Sequence, residues 1–579
     1  MSARKSFILL TILGTFIISG CASNVNIAKQ LSAQESVSPL EGILVARVVN
    51  TTGYRLPFNQ LFIDPKEINT SKDVKTVLAY SEALPIGDSS VFAVSLKPGE
   101  YSLSAVRSII FRGESYYTRS TFADPEFGVF KIEPGKVTDL GTIVYYAKPA
   151  DDVYKDILVR LPGSAQGKVL KDYFPGFANN KEVLTWESDE RDDQRFALYA
   201  SAAQNPTTFS DKVLAPDGSL YLLGKLGVVL RYSANDGFKT LAVDTDLQIN
   251  AFAQNDAGDK IAGGFEGALY FQKAQGDWQD VAIPTKAAIH YLAFYQENQF
   301  DVVYSVDKFL YIARFNNEDL STSLVLNTYD YESRWDVAGV ALAPRDKAPR
   351  AHNIKAVWVS QQGEKQVLKV NSYQVEKWDA FESTDTESYS FSPETWEMNV
   401  AENSDEMDSI LTAGAVELGI KQPGYWSRSG KASYYSRVNE DSPWREINAK
   451  ILSCKEGQII QSNGACSGGS EVVKASSESF SFISLPWFWD NDNGLAIVNF
   501  SDVEFWSGKR KSQTSILATS DGGLSWEKTD LALPKPYCTD IIGEITNSIL
   551  LTCSGATSDF YESTDRGESW QHVRQQLDF

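Results

Sequence analysis

The chain has little of what most enzymes build sites from. In 579 residues there are five cysteines, three histidines and three methionines. The histidines, His290, His352 and His572, are scattered, and no Cys/His set has the spacing of a zinc site. No phosphate-binding glycine loop, GxSxG elbow or HExxH helix stands in a convincing context. Basic charge is also in deficit. Lys and Arg total 54 against 75 Asp and Glu, a formal charge of −21. Such a chain repels nucleic acid and anionic surfaces, so a nucleic-acid partner is excluded. Helical periodicity is almost absent. The only long apolar run, Phe7 to Ile18, is shorter than the roughly 20 residues that span a bilayer. No cofactor, metal site or catalytic set is assigned.

What is present begins at the N-terminus. Arg4 and Lys5 precede the apolar run, which ends in Ile18-Ser19-Gly20-Cys21. A charged start, a short apolar middle and small residues at the exit describe a cleaved signal over 1–20. The exit resembles the lipobox of bacterial lipoproteins, in which the cysteine thiol accepts the lipid. That resemblance implies a fatty-acylated Cys21 and a membrane partner. Ala22 and Ser23 follow, where an Asp would retain a Gram-negative lipoprotein at the inner membrane, so the implied address is the outer membrane. An ordinary secretory signal with a chance cysteine is the alternative. Residues 21–40 are polar and read as a flexible tether.

With Cys21 set aside, four cysteines remain as two close pairs. Outside the cytoplasm, Cys454 with Cys466 and Cys538 with Cys553 read as disulfides. Four buried thiols are the alternative.

The rest reads as all-β. Residues 41–147 form a small N-terminal domain. There Val91–Leu96 and the alternation from Tyr101 to Ala105 flank Lys97-Pro98-Gly99-Glu100 as a hairpin, and Glu133-Pro134-Gly135-Lys136 makes a similar turn. The pattern resembles the transthyretin-like or carboxypeptidase-regulatory-like β-sandwiches. Residues 148–182, with Pro149, Pro162, Gly163 and Pro175, read as a connection. From 183 to 579, short apolar runs end at Gly, Asn or Asp. That suits a β-propeller of about seven four-stranded blades, with Glu382–Asp408 as an insertion.

Two copies of one pattern stand near the C-terminus: Thr519-Ser520-Asp521-Gly522-Gly523-Leu524-Ser525-Trp526 and Ser563-Thr564-Asp565-Arg566-Gly567-Glu568-Ser569-Trp570. Asp521 and Asp565 lie 44 residues apart, a plausible blade period. The pattern resembles the Asp box, or BNR repeat, of sialidases and related propellers. The hydroxyl and carboxylate can accept backbone N–H groups of their own turn. Gly523 and Gly567 supply a conformation other residues resist, and Trp526 and Trp570 pack into the blade. The resemblance implies a structural role for these turns. Ser233–Phe238, Gln275–Trp278 and Trp444 are candidate degenerate copies.

The sialidase arginine triad and Phe-Arg-Ile-Pro motif are not recognisable; Phe111-Arg112-Gly113-Glu114 falls in the N-terminal domain. Asp490 and Asp492 have calcium-loop spacing, but the later bidentate acid is missing and a turn is the plainer reading. The expectation is a non-catalytic envelope lipoprotein whose propeller mouth binds a protein or glycan. A sialidase-like glycoside hydrolase and an assembly factor resembling the photosystem-stability propellers are the alternatives.

Overall fold

The computed structural model describes residues 25–574, apart from internal stretches of which the longest are 67–75, 82–88, 163–168, 331–351, 376–381, 392–397, 401–406, 422–431 and 504–509. The fold is all-β. Apart from two short segments, one compact unit ends at Ala200 and the other begins at Ser201.

The first unit has two sheets. One runs Val25–Ile27, Thr76–Tyr80, Gln60–Pro65, Gly99–Arg112, Ser115–Phe122, with Val129–Ile132 added on Gly99–Arg112. The other runs Val153–Arg160, Val137–Ala150, Gly42–Asn50, Ser89–Leu96, Lys29–Gln30, with Val183–Leu184 added on Val137–Ala150. Leu44, Val48 and Val94 from the second sheet share one core with Leu61, Ile63 and Val106 from the first. Gly42–Asn50 is buried along its whole length because both its faces are covered: Leu44 and Val48 lie in the shared core, and Ile43 and Val45 pack with Val169, Phe174 and Phe177.

The Pro-Gly turns differ from expectation. Ser89–Leu96 and Gly99–Arg112 belong to different sheets, so Lys97–Glu100 is a corner between sheets and not a hairpin. Glu133–Lys136 likewise joins Val129–Ile132 of one sheet to Val137–Ala150 of the other. A period-two pattern shows which residues share a face, but not which strand lies alongside.

The first unit also reaches beyond residue 147. Val153–Arg160 forms an edge strand within the stretch read as a connection. Trp186 sits in the first core, its Nε1 donating to the Leu140 carbonyl at 2.9 Å. Asp192–Gln204 is a helix, in a region read as having none. It has no apolar stripe to betray it. Its first turn is held by charge: Arg195 donates to Asp192 at 2.9 Å and makes a bidentate pair with Asp189.

The second unit is a propeller. Seven antiparallel meander sheets follow one another among the described residues. They comprise Phe209–Leu214 to Gly237–Ala242, Ile249–Gln254 to Trp278–Asp280, Ala288–Gln296 to Thr322–Asp330, His352–Gln362 to Met398–Val400, Ser409–Ala413 to Arg445–Ile447, Ser481–Phe482 to Glu527–Lys528, and Cys538–Ile545 to Gln571–Arg574. Glu382–Phe391 and Met398–Val400 are strands of the fourth sheet, so Glu382–Asp408 is not an insertion. The real excursion lies between the fifth and sixth sheets. There Lys450–Ser453 pairs with Ser476–Ser479, around a small three-stranded sheet.

Shared apolar cores join neighbouring sheets. Tyr221 and Leu223 of the first pack with Ile249 and Phe252 of the second. Ile261 and Phe271 pack with Phe300 and Val302 of the third. Leu418 of the fifth packs with Trp526 of the sixth, and Ile516 of the sixth with Ile541 of the seventh. The last sheet then meets the first: Leu550 and Phe560 share a core with Leu222 and Leu230. Phe560 lies 4.6 Å from Phe238 and 5.9 Å from Phe209, ring to ring. The chain therefore closes on itself by face-to-face packing, and each sheet keeps only short edges.

Candidate binding site on the first strands of three sheets

In the first four sheets, the opening strands lie beside one another in series. They therefore face the axis of the ring, and all four carry the same irregularity, in the first three at a constant spacing. The register of Phe209–Leu214 slips at Ser210, that of Ile249–Gln254 at Asn250, and that of Ala288–Gln296 at His290. These bulge positions are spaced by 40 residues each time (210, 250, 290). Lys355 and Thr539 hold the corresponding places in the fourth and seventh sheets. A bulge leaves its extra residue out of the ladder and re-aims its side chain.

The second-to-third-strand hairpins keep the same period. Leu226-Gly227 and Glu266-Gly267 are left-handed, with φ of 57°, 71°, 64° and 80° in that order. Consecutive left-handed residues make the tight turn that matches strand twist. At Gly227 the backbone also leaves no room. A Cβ there would meet the Thr245 carbonyl at 2.2 Å and the Val243 carbonyl at 2.6 Å.

A cleft of about 530 Å³ opens along these three strands. Asp211, Asn250, Phe252, His290, Tyr291 and Phe294 are among its walls, and among the described residues no Lys or Arg lines it. Its polar groups are held from behind. The Asn250 Oδ1 accepts from Gln248 Nε2 at 2.8 Å, and among the described residues Nδ2 has no partner. His290 Nε2 meets Ser305 Oγ at 2.7 Å, and among the described residues Nδ1 has none. Burial pushes the His290 imidazole down to about 4, so it is neutral at physiological pH. Asp211 Oδ1 accepts from the Lys212 amide at 2.8 Å. Water reaches its carboxyl, yet the surrounding protein raises it above the ordinary carboxylate range by desolvation. The Tyr291 hydroxyl is pushed up to about 12, chiefly by burial and further by the charge of Asp301. The described residues offer amide and imidazole hydrogen-bonding groups, carboxylates and aromatic residues, and no cation among them.

None of these residues was singled out by sequence reasoning. The signal was available as Gly-x-x-Gly at Gly224–Gly227 and again at Gly264–Gly267, with the same 40-residue spacing.

The two motif turns have matching geometry. Thr519 Oγ1 donates to Asp521 Oδ1 at 2.8 Å and accepts the Gly523 amide at 2.9 Å. Asp521 accepts the Ser525 amide at 2.9 Å and the Ser525 hydroxyl at 2.5 Å. In the second turn, Ser563 Oγ donates to Asp565 at 2.7 Å and accepts the Gly567 amide at 2.7 Å. Asp565 accepts the Ser569 amide at 2.9 Å and the hydroxyl at 2.5 Å. Gly523 and Gly567 have φ of 89° and 94°. The hydrogen bonds from Ser569, first its hydroxyl and then its amide, pull the Asp565 carboxyl down to about 2. These carboxylates are spent on their own turns. Trp526 is 1% exposed, whereas Trp570 is half-buried. Trp278 opens the fourth strand of the second sheet, and Trp444 precedes that of the fifth, the positions Trp526 and Trp570 occupy in theirs.

Cys538 and Cys553 are joined by a disulfide between directly paired strands. Cys21 and Cys454 lie outside the described residues, and Cys466 is described only through its backbone, in the strand Ala465–Ser467. Asp490 accepts the amides of Asp492 at 3.0 Å and Asn493 at 2.8 Å, which makes its loop a turn. Among the described residues, no group of three or more His, Cys, Asp or Glu is placed to hold a metal ion.

No protein-family profile and no curated protein sequence matches the chain. Among solved structures it is similar to the GH74 xyloglucanase of Xanthomonas campestris at 13% identity, over 65% of this chain and 68% of that one, with a TM-score of 0.28. It is similar to YCF48 of Cyanidioschyzon merolae at 11% identity, over 62% and 92%, with a TM-score of 0.29. The Dos1 propeller gives 10%, 82%, 92% and 0.32 in the same order.

Proposed function

We propose that the protein is a lipid-anchored envelope protein whose propeller binds a ligand on the inner strands of its first three sheets and performs no chemistry on it. The observation that carries this is the cleft on three equivalent bulged strands, with Asn250 and His290 each fixed from behind and each keeping one polar atom for a ligand. Largely preformed clefts with a few oriented polar groups are the usual form of a binding site. The seven sheets are read as seven blades of one ring. The anchor to an outer membrane rests on the sequence around Cys21; the stretch read as a tether over 21–40 is not one as a whole, because Val25–Ile27 and Lys29–Gln30 are strands of the first unit's sheets and Leu31 is buried in its core. The ligand is a protein or a glycan.

A photo-crosslinking residue placed at Ala293 in the cleft tests the reading in cells. An adduct is expected there and not from the same residue at Lys239. Equal labelling at both sites, or none at Ala293, overturns it. For the anchor, Cys21→Ala should move the protein from the membrane to the soluble fraction. A variant that stays in the membrane removes the lipoprotein reading.

One observation favours a second reading, an envelope glycoside hydrolase: Asp211 and Asp256 line the same cleft. Glycosidases work with an acid and a base across the sugar, the acid with a raised pKa. Release of reducing ends by the protein, lost in Asp211→Asn, would replace the binding-only reading with hydrolysis.

A further inference from the structure

We infer that the ligand of this cleft is an uncharged saccharide chain. The inference rests on the binding reading above and deepens it by naming the ligand class.

Charge is the first argument. Among the described residues the lining holds Asp211 and Asp256 but neither Lys nor Arg, and His290 is neutral. A sulfated or uronic polymer would bring anions towards carboxylates with no cation to pair them, and an unpaired anion in a protein cleft is costly. Phosphopeptides and acidic protein segments are disfavoured for the same reason.

Hydrogen bonding is the second. Sugar hydroxyls both donate and accept, so they are matched by fixed groups of either kind. Asn250 Nδ2 donates, because its Oδ1 is held by Gln248. The Asp211 carboxyl accepts. His290 Nδ1 takes the role opposite to that which Nε2 takes towards Ser305, so one ring nitrogen is always matched to a hydroxyl. Asn250 and His290 occupy equivalent positions in neighbouring sheets and sit on equivalent bulges. A ligand with repeating hydroxyls would meet similarly placed groups on both strands.

Aromatic faces are the third. Phe252, Tyr291 and Phe294 all contribute to the cleft wall, and Tyr291 and Phe294 are only half-buried, although Phe294 also packs edge-on against Phe300. The apolar C–H face of a sugar ring packs on such surfaces, as apolar groups generally do on aromatic faces. A cleft of about 530 Å³ also suits a short run of sugar rings better than a folded protein surface, which needs a far larger contact area.

Calorimetric titration of the full-length protein in detergent tests the class. The probes are cellohexaose, maltohexaose, mannohexaose and N-acetylchitohexaose, with hexagalacturonate as the charged control. At least one uncharged probe should bind and hexagalacturonate should not. Asn250→Asp keeps the acceptor for Gln248 and removes the donor. It should weaken binding about tenfold, the scale of one hydrogen bond to a ligand. His290→Gln should do the same, with melting temperatures unchanged above pH 6.5, where the imidazole is neutral in both folded and unfolded chain. If Asn250→Asp fails to fold, Asn250→Ser serves in its place. Tightest binding to hexagalacturonate overturns the inference, as does uncharged binding indifferent to both variants. If no hexasaccharide binds while the Ala293 adduct still forms, the saccharide class falls and the binding reading stands. If neither occurs, both fall.

Discussion

The first three sheets of the propeller and the last two share a strand order but are fastened by different chemistry. In the first and second sheets, the second-to-third-strand hairpin is set by the backbone, through the left-handed pairs Leu226-Gly227 and Glu266-Gly267. In the sixth and seventh, the third-to-fourth-strand turn is fastened by side chains, through Thr519 with Asp521 and Ser563 with Asp565. The sixth-sheet turn also grips its neighbour. Ser436 Oγ donates to the Gly522 carbonyl at 3.1 Å, and the Asn448 amide to the Gly523 carbonyl at 2.9 Å. The late sheets add a disulfide; the early ones contain no cysteine. The early sheets instead place polar residues on bulged inner strands, where the cleft is. A division of labour follows: the late sheets fasten the ring, and the early sheets present the site.

The sharpest way to break that comparison is at the tryptophans. Trp526 is 1% exposed and packs against Phe480 and Phe482. Trp526→Ala should cost about 3–5 kcal/mol. Trp570, half-buried, should cost clearly less on truncation. Denaturant unfolding monitored by fluorescence or circular dichroism measures both. Equal losses would mean that burial of this ring does not distinguish the sixth sheet from the seventh.

Next in size is the disulfide. Cys538 and Cys553 close a loop of 15 residues. Loop entropy assigns such a link about 3 kcal/mol. The double change Cys538→Ser with Cys553→Ser should lower the melting temperature while leaving ligand affinity in the early sheets unchanged. An affinity loss without a melting shift would reverse the division of labour.

A smaller effect is expected at the turns themselves. Asp521→Ala removes acceptors for the Ser525 amide and both neighbouring hydroxyls, a loss comparable to that of a helix cap, about 1–2 kcal/mol. In the first sheet the corresponding turn has Ser233 accepting the Asp236 amide at 3.3 Å, with the Asp236 carboxylate beside Lys239 at the surface. Asp236→Ala should leave the melting temperature unmoved. Thermal melts of the two variants side by side decide whether the side-chain lock belongs to the late sheets alone.

How much of this was legible depended on where the specifying chemistry sits. The late turns were legible because their side chains make the turn: Thr, Asp, Gly, Ser and Trp recur at fixed offsets, and the structure gives each Thr, Ser and Asp a partner in its own turn. The all-β class was legible from short apolar runs between turn residues. The bulges at Asn250 and His290 were not. A bulge is a relation between two strands, and the residue occupying it follows no local rule. The Gly-x-x-Gly pairs at residues 224–227 and 264–267 carried the period, but two glycines at that spacing are common enough to pass unnoticed. The Pro-Gly corner at residues 97–100 misled for a related reason, since turn chemistry does not say whether the strands it joins will pair. The helix Asp192–Gln204 escaped because charge, not an apolar stripe, holds its start.

The finest test separates the two regions by pH. Burial holds His290 down to about 4 against an ordinary value of 6.5. Between those values the unfolded chain takes up a proton that the folded chain refuses, so stability is full above pH 6.5 and falls as pH drops towards 4. Asp565 acts in a lower window. Its carboxyl is held at about 2 against 3.8, so its contribution is full above pH 3.8 and is lost on falling through 2. Asp211 opposes the first trend, since a raised carboxyl favours the folded state as pH falls. The comparison is therefore made on variants and not on the whole curve. Melting temperature against pH should flatten between pH 6.5 and 4 in His290→Gln. Asp565→Asn should leave that interval as it was and flatten the curve only below pH 3.8. Should Asp565→Asn flatten the upper window instead, the early cleft and the late turns would not titrate as separate regions, and His290 would have to be a group that water reaches freely.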